Sequence, residues 1–384
     1  MPQFTFETVP RIVCEQGGSL RLGEIAGELG ISRVFVVTDR GLVKAGVIDD
    51  ALAAIEASGL KLSLFSDVVA DPPEASVLAA VAAARDVAAD GVIGIGGGSS
   101  LDTAKLVALL ACTAQPLAEI YGIGLARGGR LPLIQVPTTA GTGSEVTPIS
   151  ILTTPTNEKK GVVSPLLYPD VALLDGRLTL GLPAPITAMT GVDAMVHAIE
   201  AYTSRLKKNP LSDALAIKAL QLLHANIGAA VSAGSDPTVR ENMLLGSLFA
   251  GMAFANAPVA AVHALAYPLG GQFHLPHGLT NSLVLGPVLE FNRSAATELY
   301  AELGRAILPG LHAASDAAAA TTFIDTLRAL VAAMPYAQRL RDVGIDETAL
   351  PGLARDAMNV QRLLVNNPRE VAYADALAIY RAAW

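Results

Sequence analysis

Asp193 and His197 stand four residues apart in Gly191-Val-Asp-Ala-Met-Val-His-Ala-Ile-Glu200, a stretch with helical patterning. At i and i+4 the two side chains leave one helix face about a turn apart, and a carboxylate beside an imidazole is half of a site for a divalent cation. An ordinary Asp–His helix pair has the same spacing, so both readings stand. The remaining histidines shift the balance. All six (His197, His224, His263, His274, His277 and His312) lie in the second half of the chain. His263, His274 and His277 fall inside Asn242–Leu289, a run without a single Asp, Glu, Lys or Arg. A buried imidazole must be hydrogen-bonded or metal-bound to avoid a desolvation cost of about a few kcal/mol. With no charged partner inside the run, Asp193 and His197 are the natural counterparts. His224 and His312 sit in helices of mixed polarity and read as ordinary residues.

Two glycine-bearing loops point to a second chemistry. Gly94-Ile-Gly-Gly-Gly-Ser-Ser-Leu-Asp102 follows an apolar strand and opens a helix. Glycines there let backbone approach a pyrophosphate, and the helix end offers free N–H groups. The same residues also read as a tight turn with a capping box, Ser99 at N-cap and Asp102 at N3. Pro137-Thr-Thr-Ala-Gly-Thr-Gly-Ser-Glu145 follows the next strand and is rich in hydroxyls, at the strand end where open α/β sheets bind ligands. Thr38-Asp39 ends an earlier strand. Its carboxylate can accept from a ribose hydroxyl, favouring NAD over NADP, or cap the helix beginning near Gly41.

The elements that must position these residues divide the chain in two. Strands over Val34–Val37, Leu62–Phe65, Gly91–Ile95 and Leu133–Val136 alternate with helices over Val43–Ser58, Glu74–Ala89 and from Ser99 to Leu110. This alternation predicts a parallel sheet covered on both faces. After Leu182 only helical patterns follow, at Ala184–Ser204, Leu211–Ser232, Val239–Phe254, Asn281–Leu289 and Ala295–Ile307. The expected organisation is an α/β domain over residues 1–182 and an all-helical domain over 183–384. Charged residues make up 16 % of the chain, and 52 % is hydrophobic, which excludes disorder. A net charge of −8 argues against nucleic acid or an anionic membrane as partner. The charge-free run is broken by Asn256, Pro258, Pro268, Gly270 and Gln272, which argues against membrane spans. Two cysteines and a first segment lacking a signal-peptide pattern make the cytoplasm the expected location.

At these motifs the sequence resembles the iron-containing (group III) alcohol dehydrogenase family over nearly its whole length. The matching parts are Gly96–Ser99 with Asp102 and Lys105, Pro137–Glu145, Gly191–Ala194 through His197 and Glu200, His263, Phe273–Gly278, Asn367-Pro-Arg369 and Ala383-Trp384. The resemblance implies a Rossmann-like dinucleotide-binding domain followed by an all-α metal-binding domain, the dehydroquinate synthase-like architecture. It implies Asp193, His197, His263 and His277 as ligands of one divalent metal, Fe²⁺ in the first place and Zn²⁺ as the alternative. It implies NAD held by Asp39, Gly97, Gly98, Ser99, Asp102, Thr138, Thr139, Thr142 and Lys160, and a homodimer in which Gln3–Glu7 forms a crossing strand. Tyr267 departs from the histidine that many members carry there. His274 is the candidate for relaying the proton. The implied activity is hydride transfer between NAD(H) and a small primary or secondary alcohol or its aldehyde or ketone. A hydroxyacid–oxoacid transhydrogenase and a lyase of the dehydroquinate synthase kind are the alternatives. Apolar or small residues (Thr147, Ile149, Phe254, Val259) point to a short, uncharged substrate.

Overall fold

The structure is a computed structural model that describes residues 3–156 and 158–384. Among the described residues, nine strands form two sheets: β1 (Arg11–Cys14), β2 (Arg33–Asp39), β3 (Lys61–Val68), β4 (Gly91–Gly96), β5 (Gly122–Ile123), β6 (Leu133–Pro137), β7 (Ile149–Thr153), β8 (Lys159–Val163) and β9 (Val171–Leu174). Six of them make one all-parallel sheet in the order β1-β9-β6-β4-β2-β3. The other three form a small sheet in the order β5-β8-β7, with β7 and β8 antiparallel.

Among the described residues, five α-helices precede residue 183: α1 (Leu22–Glu28), α2 (Arg40–Lys44), α3 (Asp49–Ala57), α4 (Glu74–Asp86) and α5 (Gly98–Ala111). They cover both faces of the large sheet. Val34, Val36, Ile93, Ile95, Ile134 and Val136 pack with Leu22 and Ile25 of α1 and Ala51 and Ile55 of α3. The alternate residues Phe35, Val37, Val92 and Leu133 pack with Val77 and Val81 of α4 and Leu106 and Val107 of α5. Because each strand is buried on both sides, its sequence is a continuous apolar run instead of an alternating one.

The helical part comprises α6 (Ala184–Thr203), α7 (Pro210–Ser232), α8 (Pro237–Asn256), α9 (Ala261–Phe273), α10 (His277–Ile307), α11 (Asp316–Ala332), α12 (Leu350–Ala357), α13 (Gln361–Leu364) and α14 (Tyr373–Ala383). Two compact units result, and the chain passes from one to the other at Leu182–Pro183. Two segments group differently from the expected 1–182 and 183–384 division. The stretch ending at Glu7 belongs to the helical unit. There the Asn256 side chain accepts from the Glu7 N–H at 2.8 Å and donates to the Glu7 carbonyl at 2.9 Å. Ser235–Leu245 belongs to the sheet unit. Gly176 lets this backbone come close, since a Cβ there would stand 3.1 Å from the Glu241 nitrogen and 3.2 Å from the Pro237 carbonyl oxygen.

Other differences have local causes. The expected helix Val43–Ser58 is two helices, broken where Gly46 takes a left-handed backbone conformation (φ 67°). The patterns at Asn281–Leu289 and Ala295–Ile307 follow each other within α10, which breaks between its two parts where the Ala296 backbone leaves helical geometry (φ −124°, ψ 18°). Within this single chain, residues 3–7 form no strand.

Candidate active site

Helix α6 carries the first two site residues. Pro183 occupies its N-cap with Pro185 in the first turn, and it is buried nearly all round from Val192 to Thr203. Asp193 and His197 leave the same face, and Glu200, seven residues after Asp193, continues that row. Asp193 is 2 % and His197 5 % exposed.

Glu200 does two jobs at once. Its carboxylate accepts from the N–H groups of Ala260 and Val262 at 2.9 and 2.6 Å, at the start of α9, where the N-cap residue Ala260 provides no side-chain bond. A carboxylate there satisfies orphan donors and meets the positive end of the helix dipole. The same carboxylate lies 2.7 Å from His263 Nδ1. With Nδ1–H donating to Glu200, the lone pair of His263 is on Nε2, facing His197 and Asp193.

Helix α10 brings the fourth residue, His277, in its first turn. Gly278 makes the approach possible, because a Cβ there would stand 2.4 Å from the Met189 carbonyl oxygen on α6. Asn281, one turn on, is fully buried and donates from Nδ2 to Asp193 Oδ1.

Asp193, His197, His263 and His277 thereby converge, with one ligand atom from each lying within 4.8 Å of the others. The Nε2 atoms of His197 and His263 are 3.0 Å apart. Asp193 Oδ1 lies 3.9 Å from His263 Nε2 and 3.7 Å from His277 Nε2. Two imidazole lone pairs at 3.0 Å repel each other unless a proton or a cation lies between them. Bonds of about 2.1 Å in a tetrahedron separate donors by roughly 3.4 Å, so this donor set fits one divalent cation. Burial opposes ionisation of Asp193, yet the three imidazoles and Asn281 together hold its carboxyl below the usual carboxylate range. The His197 ring stacks on Phe254 at 4.4 Å between centroids. Only His277 opens outward, with 38 % of its side chain exposed.

The two loops meet in the sheet unit because β4 and β6 are neighbours, with Gly96 opposite Pro137. Thr138 N–H donates to Gly96 O at 2.9 Å. A Cβ on Gly98 would lie 2.7 Å from Thr142 Cγ2, and one on Gly97 3.6 Å from Thr139. The N-cap of α5 is Gly97, with no side-chain cap bond. The expected capping box of Ser99 and Asp102 is therefore absent. Ser99 Oγ accepts from Asp71 N–H at 3.3 Å instead.

Asp102, with 15 % of its side chain exposed, is hydrogen-bonded within the sheet unit. Its Oδ1 accepts from Ser144 Oγ at 2.6 Å and its Oδ2 from Ile151 N–H at 2.8 Å. Buried Lys105 donates to Ser144 Oγ, Thr147 Oγ1 and Ile149 O at 2.8, 3.2 and 2.7 Å. This network ties the hydroxyl-rich loop to α5, and Thr147 serves it. Burial pushes the Lys105 ammonium down and the Asp102 carboxyl up, while Glu145 is pushed up to about 7.

Asp39 Oδ1 accepts from Leu42 N–H at 3.0 Å, capping α2 at the end of β2. Lys160 is half-exposed on β8, paired with Glu158 at 3.5 Å and 5.8 Å from the Tyr121 ring centroid. His274 is exposed and ends α9 in a left-handed conformation (φ 54°), its N–H donating to Gly270 O at 3.0 Å. It stands outside the convergent four. Sequence reasoning gave no role to Glu200 or Asn281. The signal for each was present, two turns after Asp193 and one turn after His277.

The comparisons with known proteins agree with this geometry. The model of the iron-containing alcohol dehydrogenase family matches residues 10–176, and that of the family's C-terminal part matches 187–384. The chain is 42 % identical to long-chain-alcohol dehydrogenase 1 of Geobacillus thermodenitrificans, over 93 % of this chain and 90 % of that protein. It superposes on a 1,3-propanediol oxidoreductase with a TM-score of 0.96 at 34 % identity, covering both chains fully. It also superposes on sulfoacetaldehyde reductase of Bifidobacterium kashiwanohense in complex with NAD⁺, with a TM-score of 0.88 at 30 % identity, over 100 % of this chain and 99 % of that one. With both family models matched in order and a buried His₃Asp cluster assembled from three helices, the chain belongs to the iron-containing alcohol dehydrogenase family.

Proposed function

We propose that this protein interconverts a small alcohol and its aldehyde or ketone with NAD(H), using Fe²⁺ held by Asp193, His197, His263 and His277. The observation that carries the reading is the convergence of those four side chains on one point. When bound there, a divalent cation supplies Lewis acidity toward an alcohol or carbonyl oxygen. Glu200 fixes the His263 tautomer so that Nε2 stays an acceptor. Asn281 holds one oxygen of Asp193, which restricts how that carboxylate can turn. Phe254 and the charge-free helices keep water from the buried side, so substrate is admitted past His277. Gly97, Gly98 and Ser99, with Thr138, Thr139 and Thr142, give NAD its pyrophosphate cradle. Lys160 contributes a cation and Asp39 a carboxylate for the ribose. Asp102 acts behind this surface through Ser144.

Four further readings complete the proposal. The exposed, unpaired thiols Cys14 and Cys112 suit a reducing cytoplasm. β1 is an edge strand with Ile12 exposed, and Phe4 is 46 % exposed, which supports a homodimer. The net charge of −8 disfavours nucleic acid, and the many polar breaks in the charge-free run disfavour membrane spans. His274 serves as proton relay only if it reaches substrate, and solvent past His277 is the competing route.

Metal analysis of the purified protein with an alcohol and aldehyde panel tests the reading. His277→Ala should lose bound metal and lower kcat/KM by at least about a hundredfold. Full NAD-linked turnover by a metal-free variant would overturn the four-ligand assignment.

A further inference from the structure

The open side of the metal cluster is marked by two residues that the reading above leaves without a task. Tyr267 stands on α9 four residues after His263, on the same helix face, with its ring centroid 6.0 Å from that of His277. Over the Tyr267 ring lies the guanidinium of Arg362, from α13, with Cζ 5.7 Å from the centroid. Arg362 is exposed, and among the described residues no carboxylate lies within ion-pair reach of it. The Tyr267 hydroxyl likewise has no hydrogen-bond partner among the described residues.

A guanidinium held over an aromatic face at cation–π distance is steadied there, and its fork of N–H groups is left for an oxygen anion. We propose that Arg362, steadied by Tyr267, binds the terminal carboxylate of an aldehyde acid whose carbonyl lies beside His277. This inference rests on the oxidoreductase reading and names its substrate class, replacing the short uncharged substrate expected from the sequence. A neutral aldehyde of equal length would lack the distal contact, so the carboxylate acts as the handle that places the carbonyl.

The test uses the full-length, metal-loaded protein and follows NADH oxidation with matched pairs: butanal against 4-oxobutanoate, and pentanal against 5-oxopentanoate. The wild type should prefer the acid by about tenfold in kcat/KM, less at high salt, as one partly exposed charge-assisted contact allows. Arg362→Gln should abolish that ratio, and Arg362→Lys should restore part of it. In the absence of NADH, calorimetric binding of 4-hydroxybutanoate should weaken about tenfold in Arg362→Gln. Equal use of acid and neutral aldehyde by the wild type would overturn the proposal while leaving the oxidoreductase reading intact. So would a preference that survives Arg362→Gln, or a loss that falls on the KM for NADH with both aldehydes alike. Turnover of neither aldehyde would overturn the underlying activity itself.

Discussion

Glu200 illustrates how much of this site depends on groups that never contact a ligand. Its carboxylate caps one helix and orients the histidine three residues into that helix. Replacing it with glutamine keeps the size and leaves an amide oxygen for the backbone, but weakens the hold on Nδ1–H. Glu200→Gln should lower metal affinity by about ten- to a hundredfold. Competition with a chelator measures this directly, and an unchanged metal dissociation constant would remove Glu200 from the orienting role. Asp39 raises a different question, because its carboxylate already caps α2. Asp39→Asn retains the cap through its amide oxygen while deleting the charge. If Asp39 also reads the ribose, the NAD/NADP ratio of kcat/KM should fall by about tenfold or more. A ratio equal to wild type would leave Asp39 with the capping role alone.

At the scale of elements, the site is made by close approaches. Gly278 brings the first turn of α10 against Met189 on α6, and His277 is its immediate neighbour. Gly278→Ala puts a methyl 2.4 Å from a backbone oxygen that cannot swing aside. The helix must shift, at a cost of roughly 1–3 kcal/mol. The shift also carries His277 away from Asp193. Thermal unfolding of the metal-free variant should show the loss of stability, and metal titration should show weaker binding. An unaltered melting temperature would mean that α10 is held by other contacts. Gly98 plays the corresponding part between α5 and Thr142 in the sheet unit.

At the scale of the whole molecule, the low charge content concentrates cost in the few ionisable groups that are buried. Glu145 is 2 % exposed, and burial outweighs the nearby Lys105 to raise its carboxyl from 4.5 to about 7. The folded protein therefore holds this proton more tightly than the unfolded chain does. Its contribution to stability is complete below about pH 4.5 and is lost as pH rises through about 7, an effect of about 3 kcal/mol at most. Glu145→Gln lacks this loss, so the variant should gain on wild type across that interval in denaturant unfolding. A stability difference independent of pH would show that Glu145 is not the titrating group.

The sequence by itself determined the alternation of strands and helices before Leu182, the helical patterns after it, and a set of candidate donors, Asp193 and His197 with His263, His274 and His277. These are properties of spacing and composition, whereas the choice of four among the five came from the family resemblance. The i,i+4 pair on α6 and the histidines inside a charge-free run are local patterns that only a buried polar site satisfies. Burial on both faces writes continuous apolar runs into β2, β4 and β6, which are equally legible, whereas the four-residue β9 went unread. The tertiary structure alone decided how the donors meet. His197 and His263 come within 3.0 Å because Glu200 caps α9 from another helix and Gly278 admits α10, contacts between segments far apart in the chain. It also decided which protein groups each carboxylate meets. Asp39 caps α2 and Asp102 accepts from Ser144, since the partner available to each is fixed by packing and not by its neighbours in sequence. The short strand β1, the small sheet and α9 went unread because their stability comes from partners elsewhere in the fold. For the same reason the pairing of Arg362 with Tyr267, nearly a hundred residues apart, could be seen only in three dimensions.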